Sequence, residues 1–124
     1  MEHKKTILIA DDDFATADVV RIILEEEGYT VNHMSNGKHI LDMADNLPDL
    51  LLLDIKLGIM DGETICRQLR QDNFFDGMRI VFISGHPNIA SLAASACADD
   101  YIAKPFNIND LLEKIALNFE KTIG

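Results

Sequence analysis

An α/β sandwich built on a five-stranded parallel sheet is predicted by three observations. Leu50-Leu51-Leu52-Leu53 is an unbroken apolar run that ends in an acid, Asp54. Four leucines in succession cannot alternate between core and solvent, so their strand needs cover on both faces, as a central parallel strand does. Ile7-Leu8-Ile9-Ala10 and Ile80-Val81-Phe82-Ile83 are two more such runs. Segments of helical period lie between the strand-like ones, and that alternation marks an α/β sandwich with right-handed crossovers.

The elements follow in chain order. The first strand, Ile7 to Ala10, ends in Asp11-Asp12-Asp13. In the helix after it, Ala15, Val19, Ile22 and Ile23 recur at helical spacing as the expected buried face. Asp12 or Asp13 can cap its start, and Gly28 closes it after the solvated acids Glu25-Glu26-Glu27. Tyr29 to Met34 mixes polar and apolar residues, as an edge strand would. A second helix is expected over Lys38 to Asp45, with Ile40, Leu41 and Ala44 on one face, stopping before Pro48. After the leucine strand, Asp61 can cap a helix holding Ile65 and Leu69, and Asp72 to Gly77 reads as a loop. Ile80 to Ile83 ends at Ser84-Gly85-His86, and Pro87 suits the first turn of a helix over Asn88 to Ala96. Tyr101-Ile102-Ala103 is a short edge strand. Lys104-Pro105-Phe106 turns the chain into a last helix, capped by Asn107 and carrying Leu111, Ile115 and Phe119 as its buried stripe.

Five strands thus alternate with five helices. The three wholly apolar strands belong inside and the two mixed ones at the edges. The predicted order is 2-1-3-4-5, the flavodoxin-like arrangement, with its switch point between strands one and three. Ligands in such sheets sit just outside the carboxyl ends of the strands, so Asp11, Asp12, Asp13 and Asp54 converge on one crevice.

The totals bound the function. The 124 residues, 48% hydrophobic, form one domain with a proper core and are too few for two. A net charge of -10 argues against direct nucleic-acid or anionic-membrane binding. Two cysteines, Cys66 and Cys97, suggest free thiols in a reducing compartment rather than a disulfide framework or metal site. No apolar run is long enough for a signal-peptide core or a membrane span, so the expected location is the cytoplasm.

The crevice has a definite chemistry. Clustered carboxylates repel and raise each other's pKa unless a cation neutralises them. An oxygen-only set suits a hard divalent ion, most naturally Mg²⁺. A strand-end carboxylate beside such an ion can act as a nucleophile toward phosphorus, which is the expected role of Asp54. Lys104, at the end of the fifth strand, can supply an ammonium, and Ser84, at the end of the fourth, a hydroxyl, to the transferring phosphoryl oxygens.

From Lys5 to about Phe119 the chain resembles the receiver domain of two-component response regulators. The matching pieces are Ile7 to Asp13, Leu53-Asp54 with Met60-Asp61-Gly62 downstream, Ile83-Ser84-Gly85, and Asp99 to Phe106. The resemblance implies a single receiver domain over residues 1–124, with its core at about 5–119. Asp54 would take phosphate from the phosphohistidine of a sensor histidine kinase or phosphotransfer protein. Asp11 and Asp12 would hold Mg²⁺ beside Asp54, with the Lys56 backbone carbonyl as a further ligand. Ser84 and Lys104 would bind the phosphoryl group, and Tyr101 would swing inward once Ser84 moves toward it. The Lys104–Pro105 peptide is usually cis in this family. The domain would catalyse its own phosphotransfer and dephosphorylation without being a turnover enzyme, and would signal to a downstream protein target.

Some positions depart from the family's commonest pattern. Gly58 stands where proline is usual, Ser84 replaces threonine, Gly85 replaces alanine and widens access to the phosphate, and Cys97 stands where glycine is frequent. Lys56 and His86 occupy positions that tune phosphate lifetime in this family. The helix over 88–96 carries no charge. It is either simply built of good helix formers or a surface for a partner or a phosphorylation-dependent dimer. Three alternatives compete with this reading: a haloacid-dehalogenase-like phosphatase using Asp11 and Asp13 as D-x-D, a flavin-binding module of the same fold, and a receiver-like interaction module that is never phosphorylated. Ala15 stands where the first wants Thr or Val, and that reading leaves Asp54 without a role. The second lacks a Ser/Thr-rich phosphate loop, and the intact acid, hydroxyl and lysine set opposes the third.

Overall fold

The computed structural model describes residues 4–35, 40, 47–57 and 60–120. Five parallel strands form the sheet: β1 (Thr6–Ala10), β2 (Thr30–Met34), β3 (Leu50–Asp54), β4 (Arg79–Ser84) and β5 (Asp100–Ala103). Their order is β2-β1-β3-β4-β5, as the sequence predicts. The leucine strand is central because its side chains divide between two cores. Leu51 and Leu53 join Leu8, Ala10, Ile80 and Phe82 on one face, while Leu50 and Leu52 join Ile7, Ile9, Val81 and Ile83 on the other. All four leucines are fully buried.

Four α-helices lie among the described residues: α1 (Phe14–Glu26), α2 (Gly62–Arg70), α3 (Ile89–Ala96) and α4 (Ile108–Glu120). The helix expected over Lys38 to Asp45 falls outside the described residues except for Ile40, which is buried in the α2–α3 core. Asp13 caps α1 by accepting from the N–H groups of Ala15 and Thr16, and Gly28 follows the helix in a left-handed conformation at φ 98°. Asp61 caps α2 through the Glu63 N–H, and Asn107 accepts from the Asp110 N–H at the start of α4. The expected loop over 72–77 contains a short 3₁₀ turn, Asn73–Phe75, capped by Asp72 and anchored by the buried Phe75 ring.

The buried face of α1 differs from the expected one. Ala17, Val20 and Leu24 face the sheet, whereas Val19 and Ile22 are exposed. The helix is apolar on two adjacent faces, and only one can meet the sheet. The sheet takes the Ala17-Val20-Leu24 side, and Ile23 is only partly buried beside it. In α3 the helix begins at Ile89; Asn88 precedes it without a side-chain cap. Ile89, Ala93 and Ala96 are buried, so its outward face consists of small residues such as Ala90, Ser91, Ala94 and Ser95. In α4, Leu111 and Ile115 are buried as expected, Phe119 is half-buried, and the polar Asn118 is fully buried.

At the amino end of the sheet Asp99 ties three elements together. It accepts from the Ile80 N–H at 2.8 Å and pairs with Arg70 of α2, whose guanidinium also donates to the Met78 and Cys97 carbonyls at 3.0 Å each. Cys66 is buried and Cys97 is exposed, both as free thiols.

Candidate functional site

Strand register assembles the site. Ala10 pairs with Leu53, so Asp11 and Asp54 come level at the carboxyl edge of β1 and β3. Asp54 pairs with Ile83, so Ser84 stands one residue beyond it on β4, and Ser84 pairs with Ala103, one residue before Lys104. Every one of these placements follows from rigid strands ending at a common lip.

The acids gather as expected. Asp11, Asp12 and Asp54 each offer a carboxylate oxygen within 4.8 Å of the others, an oxygen-only group that could hold a metal ion. Asp11 is 1% exposed, Asp54 8%, and Asp12 faces solvent. Lys104 reaches in between the two buried acids, its Nζ 3.3 Å from Asp11 Oδ2 and 3.7 Å from Asp54 Oδ2. The Lys104–Pro105 peptide is cis. The Asp54 carboxyl is pushed up to about 6, first by burial and also by the negative charge of Asp11. The Lys56 N–H, donating to Asp54 Oδ1 at 3.1 Å, and the Lys104 ammonium pull the other way. A carboxyl so raised, with a lysine beside it and an open edge above, is the kind of group found where chemistry occurs.

Several backbone contacts hold the crevice in shape. Asp11 Oδ1 accepts from the Asp13 N–H at 2.9 Å, and the Asp11 N–H donates to the Met34 carbonyl at 3.1 Å. His33 Nε2 lies 2.8 Å from the Asp11 carbonyl and its ring meets Phe14 edge to face, a brace on the acidic turn that the sequence reading missed. The Ser84 hydroxyl, nearly buried, accepts from the His86 N–H at 3.1 Å, and the Ser84 carbonyl accepts from the Lys104 N–H at 2.9 Å. Gly62 is required by close approach. A Cβ there would lie 2.8 Å from Ile55 Cα and collide with the Asp54 carbonyl oxygen, and its N–H donates to the Ile55 carbonyl at 2.6 Å. Gly85 leaves its side of the crevice open, since an added Cβ would meet only Lys104, at 3.9 Å.

Asp13 does not join this group. Its carboxylate is committed to capping α1, accepting also from the Thr16 hydroxyl at 2.8 Å, which removes the second acid of a D-x-D pair. Gly58 lies outside the described residues. Tyr101 is half-buried on edge strand β5, and Lys114 of α4 sits over its ring at 4.2 Å. Lys114 was missed as well: fourteen residues and a turn separate it from Asp100, and no local pattern signals the meeting.

Residues 7–116 match the family model described as the response regulator receiver domain. The chain belongs to that family. The receiver domain is 35% identical over 119 residues to the response regulator MprA of Mycobacterium avium, covering 94% of this chain and 51% of that protein. It therefore spans about half the length of the curated relatives it matches. Among solved structures it is similar to a CheY-like response regulator receiver domain protein from Methanospirillum hungatei, with a TM-score of 0.86 and 34% identity, covering 96% of each chain. A putative response regulator from Chloroflexus aurantiacus superposes with a TM-score of 0.89 at 30% identity, covering 96% of this receiver domain and all of that chain. Among the described residues no helix is long and apolar enough to cross a membrane.

Proposed function

We propose that this receiver domain accepts a phosphoryl group on Asp54 from a phosphohistidine of a sensor kinase or phosphotransfer protein. The observation that carries the reading is the convergence of Asp11, Asp12, Asp54 and Lys104 at one lip of the sheet. An Asp54 oxygen attacks phosphorus; the new P–O bond forms as the P–N bond breaks, and the imidazole leaves with the electron pair and is protonated. The Lys104 ammonium holds the phosphoryl oxygens and neutralises their charge, and the Ser84 hydroxyl donates to one of them. Asp11, Asp12 and Asp54, with the Lys56 carbonyl, would hold Mg²⁺; the all-oxygen donor set fits it. That ion, when bound, screens the clustered acids and the transferring charge.

Each phosphoryl group is taken up and lost once, so the domain is a stoichiometric switch in the cytoplasm rather than a turnover enzyme. The donor docks along the groove of about 500 Å³ between α1 and the chain after β5, lined by Ala15, Val19, Ile23, Pro105 and Ile108. Among the described residues it is an apolar groove contiguous with Lys104, and it uses the α1 face that the sheet leaves uncovered. Phosphate drawn to Ser84 would let Tyr101 move inward, altering the face that α3 presents to a target or a second copy.

The reading is tested by incubating wild type and Asp54→Asn with Mg²⁺ and acetyl phosphate and weighing the intact chains. A single phosphate-sized gain in wild type alone is expected. A gain in both proteins, or in neither, overturns it.

A further inference from the structure

We propose that Lys114 is a latch on Tyr101, a positioning residue that favours the outward ring position and so opposes the response of the Ser84 face to phosphorylation. This latch rests on the roles proposed above for Tyr101 and Ser84. Lys114 Nζ donates to the Tyr101 carbonyl at 2.6 Å, lies 3.3 Å from Asp100 Oδ1, and sits 4.2 Å from the centre of the Tyr101 ring. The ring contact is well within cation–π range.

Two of these three contacts belong to the strand rather than to the ring. Asp100 is itself fixed: its carboxylate accepts from the Tyr101 N–H at 2.8 Å and from Asn118 Nδ2 at 3.0 Å, and Asn118 is fully buried and also donates to the Lys114 carbonyl at 2.8 Å. The ammonium is thus pinned at the edge of the sheet wherever the ring points. Of its three partners, only the ring can leave without disturbing β5.

A route inward is available. Phe82 pairs with Tyr101 and Ser84 with Ala103, so Tyr101, Ala103 and Ser84 lie on one face of the sheet, two residues apart along each strand. Between Tyr101 and the level of Ser84, β5 offers only the exposed methyl of Ala103. A ring that moves over Ala103 gives up Lys114. Any ligand favouring the inward ring must then overcome that contact, and removing the contact must strengthen the ligand by the same factor.

The test is a mutant cycle read by reversible binding of beryllofluoride, a phosphoryl mimic, with Mg²⁺. Lys114→Met is expected to tighten binding about two- to five-fold, the shift an exposed cation–π contact supplies. Lys114→Arg, which keeps a cation over the ring, is expected to bind as wild type. In a Tyr101→Leu background Lys114→Met is expected to change nothing, because the latched group is gone. Equal tightening in both backgrounds, or none with Tyr101 present, overturns the latch; Lys114→Gln replaces Lys114→Met if the latter does not fold. A wild type that binds no beryllofluoride defeats the phosphoryl-acceptor reading instead. The latch is then decided in the ligand-free protein by the nuclear Overhauser effect between the Tyr101 ring and the Ala103 methyl. Lys114→Met is expected to strengthen it, and an unchanged or weaker effect overturns the latch.

Discussion

Asp54 holds its negative charge at a cost to the fold. In the unfolded chain its carboxyl titrates near the ordinary value of about 3.9. In the fold, burial and the charge of Asp11 push it up to about 6. Between roughly pH 4 and 6 the folded chain therefore keeps a proton that the unfolded chain has lost, and stability falls as pH rises across that window. Above it the ionised carboxylate opposes folding until a cation neutralises it. Asp54→Asn should accordingly stabilise the metal-free domain at pH 7, by on the order of 1 kcal/mol once solvent screening is allowed for, with the advantage fading toward pH 4. Denaturant melts with chelator at both pH values measure this. An equal gain at both would show that the charge is not the cause.

The elements bring residues to the site by fitting closely at a few points. Gly62 starts α2 directly against the end of β3, where even a methyl group has no room beside the Asp54 carbonyl and Ile55 Cα. Gly62→Ala should cost about 1–3 kcal/mol by overpacking and slow acetyl phosphate labelling of Asp54, because the turn carrying the acid must shift. Chemical denaturation and intact-mass kinetics on the same protein test both halves. Helix α1 teaches a different lesson. Its spacing shows two apolar stripes, and periodicity alone cannot choose between Ala17-Val20-Leu24 and Ala15-Val19-Ile22-Ile23. The sheet takes the first of these, leaving Val19 56% exposed. Val19→Glu should therefore leave stability within about 0.5 kcal/mol of wild type. It should also leave acetyl phosphate labelling intact while slowing transfer from a phosphohistidine protein about tenfold or more, as expected for a charge placed in an apolar contact. Equal rates from both donors in wild type and variant would remove α1 from the docking surface.

In the molecule as a whole, the lip of the sheet gathers the acids and Lys104, and on the proposed reading α3 and β5 would carry a change there outward. The uncharged α3 is either a surface for a partner or a second copy or simply built of good helix formers, and burial says which residues can separate the two. Ala93 is packed inside, so a charge there would disrupt the core rather than the surface. Ala94 faces outward. Ala94→Glu should preserve folding and phosphorylation but weaken any phosphorylation-dependent dimer about tenfold, measured by sedimentation equilibrium with and without beryllofluoride. An unchanged association constant would mean that the helix lacks charge only because good helix formers need none.

By itself the sequence determined the sheet and most of the acidic site. Unbroken runs such as Leu50 to Leu53 admit only a doubly covered strand, and parallel strands end on one edge, so Asp11, Asp54, Ser84 and Lys104 had to be neighbours. The caps Asp61 and Asn107 were legible because a helix end needs an acceptor within a few residues of it, and the cap of α1 was narrowed to Asp12 or Asp13, between which the structure chose Asp13. Only the tertiary structure decided which stripe of α1 is buried, how strongly Asp54 is perturbed, and that His33 braces the acidic turn. The joining of Lys114 to Tyr101 and Asp100 belongs with these. Each depends on how closely separate elements approach, and close approach is set by packing across the whole core, which no local spacing of residues encodes.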